Sequence, residues 1–283
     1  MVSERISVGS IECLLLSDGE GVYTSDLLFG DPPADELETA LEGWRHPDGS
    51  VRTPYRCLLV RAGDRTILID TGLGDFAEVI GSPAGYLSHS LAEAGVEPDD
   101  IDDVVISHGH PDHIGGLTDG RADARMPRYR SARHYVQADE WRFWTTDEGL
   151  ALVPDVMATP ARMNLPPLEA AGLVETVDGE HDIVHGVRLI PAPGHTPGHM
   201  IVAITSGRES LLYAADVISH DLGFEHPDWQ GPFEAIPELS RQTRRKLLED
   251  AVRSQTTWVG FHLSGPGTVE KSGEGYRLVA SSS

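Results

Sequence analysis

Ser107-His108-Gly109-His110-Pro111-Asp112-His113 is the stretch that decides how this chain is read. Three imidazoles and a carboxylate fall within the six residues His108 to His113, directly after the apolar run Val104-Val105-Ile106. Protonated histidines repel one another and a desolvated carboxylate is costly, so the cluster makes a poor core. A divalent cation removes both objections, because neutral imidazole and carboxylate are good ligands for zinc-like metals. On an extended or tightly turning segment, His108 and His110 can point to one side. Asp112 and His113 follow a turn later, where a new helix would begin. Such a segment does not easily aim four side chains at one ion, but it can aim two at one ion and two at a neighbour. The spacing therefore predicts a binuclear site with a carboxylate bridging or nearby, the usual hydrolytic arrangement.

Outward from this cluster, the first half reads as strands followed by a strand–loop–helix. Ile6 to Ser17 is expected as a strand. Leu58 to Arg61 and Thr66 to Asp70 flank the Gly63-Asp64 turn as a hairpin. Ser82 to Ala94 has helical spacing, with Gly95 as its C-cap. In the second half, Gly186 to Pro191, Met200 to Ser206 and Ser210 to Ala215 read as strands, with Thr256 to Phe261 as the final one. Arg241 to Ser254 is expected as a helix, with Leu247, Leu248 and Ala251 inward and Arg241, Arg244, Arg245 and Lys246 on a solvated face. Several strands end near His195, His199, Asp216 or His262, and strand C-termini are where open α/β sheets bind ligands. Between the halves lie Trp141, Phe143 and Trp144, then a proline-broken helical segment from Val153 to Leu168. These could cover a substrate or pack on an outer face, and the pattern does not separate the two. One domain over residues 1–283, with a lid insertion around 121–182, accommodates these features.

Composition narrows the function. A formal charge of −23 repels nucleic-acid phosphates. Arg121, Arg125, Arg128, Arg130 and Arg133 read as a solvated loop, because Tyr129 is the one aromatic among them. No apolar run approaches the roughly 20 residues that span a bilayer, and Met1-Val2-Ser3-Glu4-Arg5 leads into a strand-like pattern, not a secretory segment. Cys13 and Cys57 sit in apolar strand-like runs, as buried thiols do in a reducing compartment. The expectation is a soluble, cytoplasmic protein with a small-molecule substrate and no nucleic-acid or membrane partner; a homodimer is left open.

The chain resembles the metallo-β-lactamase superfamily. The resemblance is carried by His108-x-His110-x-Asp112-His113, the Asp70-Thr71-Gly72 turn and Pro193-Gly194-His195-Thr196-Pro197-Gly198-His199. Asp216 after Leu211-Leu212-Tyr213-Ala214-Ala215, and His262 in a late strand, complete it. It implies an α/β fold, an αββα sandwich of two β-rich halves with outer helices. It implies that His108, His110 and His195 bind one metal, that Asp112, His113 and His262 bind a second, and that Asp216 bridges them. Asp70 is implied as the residue that orients a ligand by hydrogen bonding. His199 is implied in packing or behind the ligands, and His220 is the remaining histidine best placed to line a pocket.

The chemistry implied is metal-dependent hydrolysis. A water bridging two such cations is acidified from about 15.7 toward roughly 7, giving hydroxide near neutral pH. Asp112 has a second, catalytic role as proton carrier between nucleophile and leaving group. Oxygen-reducing diiron members carry glutamate where this chain has His110, which favours two zinc ions, with iron or manganese as alternatives. Asp216-Val217-Ile218, Gly223 to Trp229, Thr243 to Leu248 and Gly260-Phe261-His262 are similar to the lactonase and methyl-parathion-hydrolase branch, as is the run Glu140-Trp141-x-Phe143-Trp144. That branch implies opening of a lactone, or cleavage of a related ester or phosphotriester. The alternative is a glyoxalase-II-like thioesterase or an iron persulfide dioxygenase. The chain departs from the branch at Leu263-Ser264-Gly265-Pro266-Gly267, where members often have an aromatic-proline run, and this bears on the pocket wall.

Overall fold

The computed structural model describes residues 4–30, 32–120 and 124–280. The chain opens with β1 (Glu4–Val8) and β2 (Ile11–Tyr23), not with one strand over Ile6 to Ser17. Gly9 has φ +56, a left-handed geometry that turns the chain, so the first apolar run becomes a hairpin. Helices α1 (Ser25–Leu28) and α2 (Ala34–Ala40) lead to β3 (Val51–Ala62). The Gly63-Asp64 turn joins β3 to β4 (Arg65–Ile69), as expected. After α3 (Phe76–Ile80), helix α4 covers only Leu87–Glu93. Its expected first turns are tied down instead, because the buried Asp18 carboxylate accepts from the N–H groups of Gly85 and Leu87.

Next come β5 (Asp103–Val105), the single turn α5 (Pro111–Ile114), β6 (Thr118–Asp119), β7 (Met126–Pro127) and β8 (Arg133–Gln137). Arg121 lies outside the described residues. Arg125 is not solvated: its Nε donates to Thr118 Oγ1 at 2.7 Å and its Nη2 to Thr118 O at 2.8 Å. The middle segment forms α6 (Ala138–Thr145), α7 (Asp147–Leu150) and α8 (Asp155–Ala170). Helix α8 runs unbroken through Pro160, Pro166 and Pro167. Met157, Ala158, Ala161, Leu165 and Leu168 enter the core from it, and that packing outweighs the helix bonds the prolines remove.

The chain continues through β9 (Val174–Val177), β10 (His181–Val184), β11 (Val187–Pro191), β12 (Met200–Ser206) and β13 (Glu209–Tyr213). Helices α9 (Leu222–Glu225) and α10 (Pro237–Ser254) precede β14 (Thr257–Val259). Thr256 to Phe261 is not the last strand, since the hairpin of β15 (Gly267–Ser272) and β16 (Gly275–Ala280) follows.

Two seven-stranded sheets result, ordered β1-β2-β3-β4-β5-β8-β9 and β10-β11-β12-β13-β14-β15-β16. One core cluster draws on both, joining Leu14, Leu58 and Val60 to Val202, Ile204 and Tyr213. Alternation along β12 sends Met200, Val202 and Ile204 into that shared core and Ile201 to the opposite face. There Ile201 and Trp258 meet Leu248 and Ala251 of α10, so this helix covers the outer side of the second sheet. On the first sheet Leu87 and Leu91 of α4 join the core. Among the described residues no helix is long and apolar enough to cross a membrane.

Candidate metal centre and its cavity

Strands β4 and β5 run parallel, as do β13 and β14, so the C-terminal ends of each pair open to one edge. Asp70 follows β4, and His108 and His110 follow β5. Asp112 and His113 lie in α5, His195 between β11 and β12, Asp216 after β13, and His262 after β14. The fold thus gathers every residue of the expected ligand set from both sheets.

His108 Nε2 and His195 Nε2 each lie 3.0 Å from His110 Nδ1. His113 Nε2 lies 3.2 Å from Asp216 Oδ1 and 3.8 Å from Asp112 Oδ1. His262 Nε2 lies 3.1 Å from Asp216 Oδ2 and 3.5 Å from Asp112 Oδ2, and His195 Nε2 is 3.6 Å from Asp216 Oδ2. Donor atoms of His108, His110 and His195 all fall within 4.8 Å of one another, as do those of Asp112, His113 and His262. Asp216 faces histidines of both groups.

Protons alone do not satisfy this arrangement. Two Nε2 atoms address the single Nδ1 of His110, which can share only one hydrogen with them. His113 Nε2 and Asp216 Oδ1 are buried without a hydrogen-bond partner. A cation in each group would give every one of these atoms a partner, and imidazole with carboxylate is a donor set that zinc-like metals accept. Burial and the neighbouring imidazoles hold His108 and His110 well below the usual imidazole pKa, in the neutral form a metal requires. For His113, burial pulls the same way, but the Asp216, Asp70 and Asp112 carboxylates prevail and raise it. Burial opposes ionisation of Asp216, yet His262 and His113 hold it well below the carboxylate range.

The rings of His113, His262 and His108 are aimed from behind. His113 Nδ1 lies 2.8 Å from Asp70 Oδ2, and Asp70 also accepts from the Ser107 N–H, the Ser107 hydroxyl and the Tyr213 hydroxyl. Asp70 itself sits at φ +62, a costly conformation for a non-glycine residue that these bonds over-determine. His262 Nδ1 meets Thr53 Oγ1 at 3.1 Å, and His108 Nδ1 meets Ser107 Oγ at 3.1 Å. His199 stands behind the ligand groups: its Nδ1 donates to Ala192 O and its Nε2 accepts from the Asp216 N–H. Burial and the nearby His195 push its pKa down to about 3.

Sequence reasoning missed two acidic groups here. Glu234 Oε2 lies 3.2 Å from His195 Nδ1, while its Oε1 accepts from Arg244 Nη2 at 2.9 Å. Burial opposes its charge, but His195 and Arg244 bring its pKa down to about 2. Arg244 is not on a solvated face but 3% exposed, donating also to the carbonyls of Val217, Pro227 and Trp229. Helical spacing held the signal, because Arg244 is four residues before Leu248 and seven before Ala251, on their buried face. The second group is Glu140. It accepts from the Gly109 N–H and Trp144 Nε1 through Oε1, and from the Thr196 hydroxyl and Gly198 N–H through Oε2, at 2.7–2.8 Å. One buried carboxylate therefore ties the 107–113 loop of the first half to the 193–199 loop of the second.

A cavity of about 320 Å³ opens over the cluster, with His110, Asp112, His195, Asp216 and His262 at its polar end. Leu27, Leu28, Phe76, Met157 and Phe233 form its apolar walls. Of the middle segment, Val156 and Met157 line it, whereas Trp141, Phe143 and Trp144 pack against the core. His220 is off the wall, where its neighbour Ser219 lies; its ring sits edge-on between Phe29 and Trp44. A larger cavity, about 460 Å³, lies against Asp18 and Arg128 and touches no residue of the metal cluster.

The sequence matches the metallo-beta-lactamase superfamily over residues 50–254. The chain belongs to that superfamily. Its superfamily relatives include an N-acyl homoserine lactonase of Bacillus thuringiensis, 26% identical over 224 residues, covering 72% of this chain and 78% of the relative. A probable metallo-hydrolase of Mycobacterium tuberculosis is 27% identical over 227 residues, covering 69% and 67%. Among solved structures, AidC, described as a dizinc quorum-quenching lactonase in complex with a product, N-hexanoyl-L-homoserine, aligns at TM-score 0.85. It is 28% identical and covers 99% of this chain and 97% of that one. The hydrolase AbOPH of the beta-lactamase superfamily aligns at TM-score 0.87 with 24% identity, over 98% and 96%, and shares the fold. This superfamily chain is a metal-dependent hydrolase related to lactonases at modest identity.

Proposed function

We propose that the protein is a binuclear zinc hydrolase that opens a lactone carrying an apolar chain. The observation that carries this reading is the convergence of His108, His110 and His195 nitrogens beside an apolar cavity. His108, His110 and His195 would hold one cation and Asp112, His113 and His262 a second, with Asp216 facing histidines of both groups. When bound, such a pair supplies an acidified water and polarises the carbonyl oxygen. Asp112, at the cavity's polar end, carries the proton from the attacking water to the ring oxygen that leaves. Leu27, Leu28, Met157 and Phe233 take the chain and exclude water from it. Val156 and Met157 of α8 serve as the cover over the site. The relation to lactonases, including one described as dizinc, supports this choice of substrate over an aryl ester or a phosphotriester.

The test is elemental analysis followed by a substrate panel. About two zinc ions per chain and chelator-sensitive opening of alkyl or acylamino lactones are expected. Turnover of a thioester or persulfide by metal-loaded protein, with no lactone, aryl ester or phosphotriester hydrolysed, refutes it.

A further inference from the structure

Behind the two ligand groups, Ser107 Oγ touches one ring of each. It lies 3.1 Å from His108 Nδ1, 3.3 Å from His113 Nδ1 and 2.8 Å from Asp70 Oδ2. His108 stands with His110 and His195, and His113 with Asp112 and His262. The Ser107 N–H donates to Asp70 Oδ1 at 2.9 Å, so the serine backbone is fixed and its hydroxyl hydrogen is the part left to choose a direction. Asp70, Ser107, His108 and His113 are each 0% exposed, so bulk water does not compete for these hydrogens.

The arrangement of hydrogens at this junction depends on whether the His108 group is filled. With His108 Nε2 and His113 Nε2 facing cations, each ring carries its hydrogen on Nδ1. The His108 hydrogen then has Ser107 Oγ as its acceptor. The Ser107 hydrogen faces two N–H nitrogens and one carboxylate oxygen, so it goes to Asp70 Oδ2. The His113 hydrogen also goes to Asp70 Oδ2, at 2.8 Å, because Ser107 Oγ is more distant and already accepts from His108. Each hydrogen has one place. With the His108 group empty, the neutral His108 ring can put its hydrogen on Nε2, 3.0 Å from His110 Nδ1. Its bare Nδ1 then accepts from Ser107, and Asp70 loses that donor. The Ser107 lone pair so freed competes with Asp70 for the His113 hydrogen, and the ring is no longer held to one aim.

We propose that Ser107 is a positioning residue that couples the two ligand groups. Occupancy at His108, His110 and His195 commits the Ser107 hydrogen to Asp70, fixes the aim of His113 and so strengthens cation binding by Asp112, His113 and His262. This rests on the binuclear reading above but on no choice of substrate. Linkage makes the effect reciprocal, so filling either group favours the other. Repulsion between the two cations opposes it and acts whether or not the serine hydroxyl is present.

The experiment measures zinc binding to the full chain by chelator competition at fixed pH. The overall two-zinc constant of the intact chain is divided by the product of two single-zinc constants. One comes from His262→Ala, which keeps the His108 group whole, and the other from His195→Ala, which keeps the His113 group whole. This coupling factor is measured with Ser107 and again with Ser107→Ala in all three backgrounds. A weakening of His108 alone cancels within the factor, and cation–cation repulsion cancels between the serine and alanine series. One neutral hydrogen bond corresponds to about threefold to tenfold, and the factor is expected to fall by that amount in Ser107→Ala. A factor that stays within about twofold of wild type overturns the proposal. If Ser107→Ala loses the wild-type circular dichroism spectrum, Ser107→Cys, with its weak S–H donor, takes its place under the same criteria. One zinc ion per chain in wild type refutes the binuclear reading and the coupling with it; two zinc ions with an unchanged factor refute the coupling alone.

Discussion

Replacing Arg244 by methionine tests how the His195 side of the centre is held. The change keeps an unbranched stem, loses the guanidinium and so removes the charge from a site where the arginine and Glu234 side chains are 4% and 6% exposed. Glu234 is left with His195 as its charged partner, and the carbonyls of Val217, Pro227 and Trp229 lose their donor. Removing one partner of a buried ion pair costs about 3–5 kcal/mol, chiefly through the charge left behind. The pH dependence tests the same reasoning. Glu234 has its pKa lowered from 4.5 to about 2, so its contribution is complete above pH 4.5 and is lost as pH falls toward 2. That displacement corresponds to roughly 3 kcal/mol. Part of it is offset on the other side of the pair, because burial lowers the Arg244 pKa despite Glu234. Urea unfolding of metal-free wild type and Arg244→Met between pH 2 and 7 measures both quantities. The wild-type advantage should reach 3–5 kcal/mol at pH 7 and narrow by roughly 2–3 kcal/mol toward pH 2, where a protonated Glu234 no longer needs the arginine. An advantage below 1 kcal/mol at pH 7, or one that stays constant with pH, would refute the argument.

Glu140→Gln puts an amide N–H against one of the two donor pairs that the carboxylate now accepts from. About 2–3 kcal/mol of stability should be lost, with weaker zinc retention in a competition titration, because both ligand loops lose an anchor. Met157→Trp fills part of the 320 Å³ cavity from α8; kcat/KM should fall for long-chain lactones by about tenfold relative to short ones, and an unchanged chain-length profile would place the apolar chain elsewhere.

The candidate donors were legible in the sequence through the motifs that carry the family resemblance, helped by the apolar runs that precede His108, Asp216 and His262. The residues behind the donors were much less so. Asp70 was legible through its place in the Asp70-Thr71-Gly72 turn. Glu234, by contrast, lies in an irregular stretch before α10, and only the fold brings it 39 residues back to His195. Arg244 was misread because a charged residue among charged residues suggests solvent, although its register with Leu248 places it inside. The proline-rich α8 was misread for the opposite reason: local propensity was given weight over the packing of its apolar face. The apolar wall residues Val22, Leu27 and Leu28 carry no signature of their own, since an apolar side chain lining a cavity reads in the sequence like one in a core.

The cavity wall comes from separate pieces of chain, around Val22 to Leu28, Leu73 to Ile80, Val156 to Met157 and Gly231 to Glu234. The first three contain none of the cluster's donors, so over evolutionary drift they can exchange side chains while the chemistry is inherited intact. The fourth differs, because Phe233 shapes the wall while the adjacent Glu234 steadies His195. Selection for a new substrate would find the side chains that line the cavity in the first three permissive and the fourth constrained, and a randomised library should omit Glu234 and also Gly74, where a Cβ would lie 2.4 Å from Gly115 O.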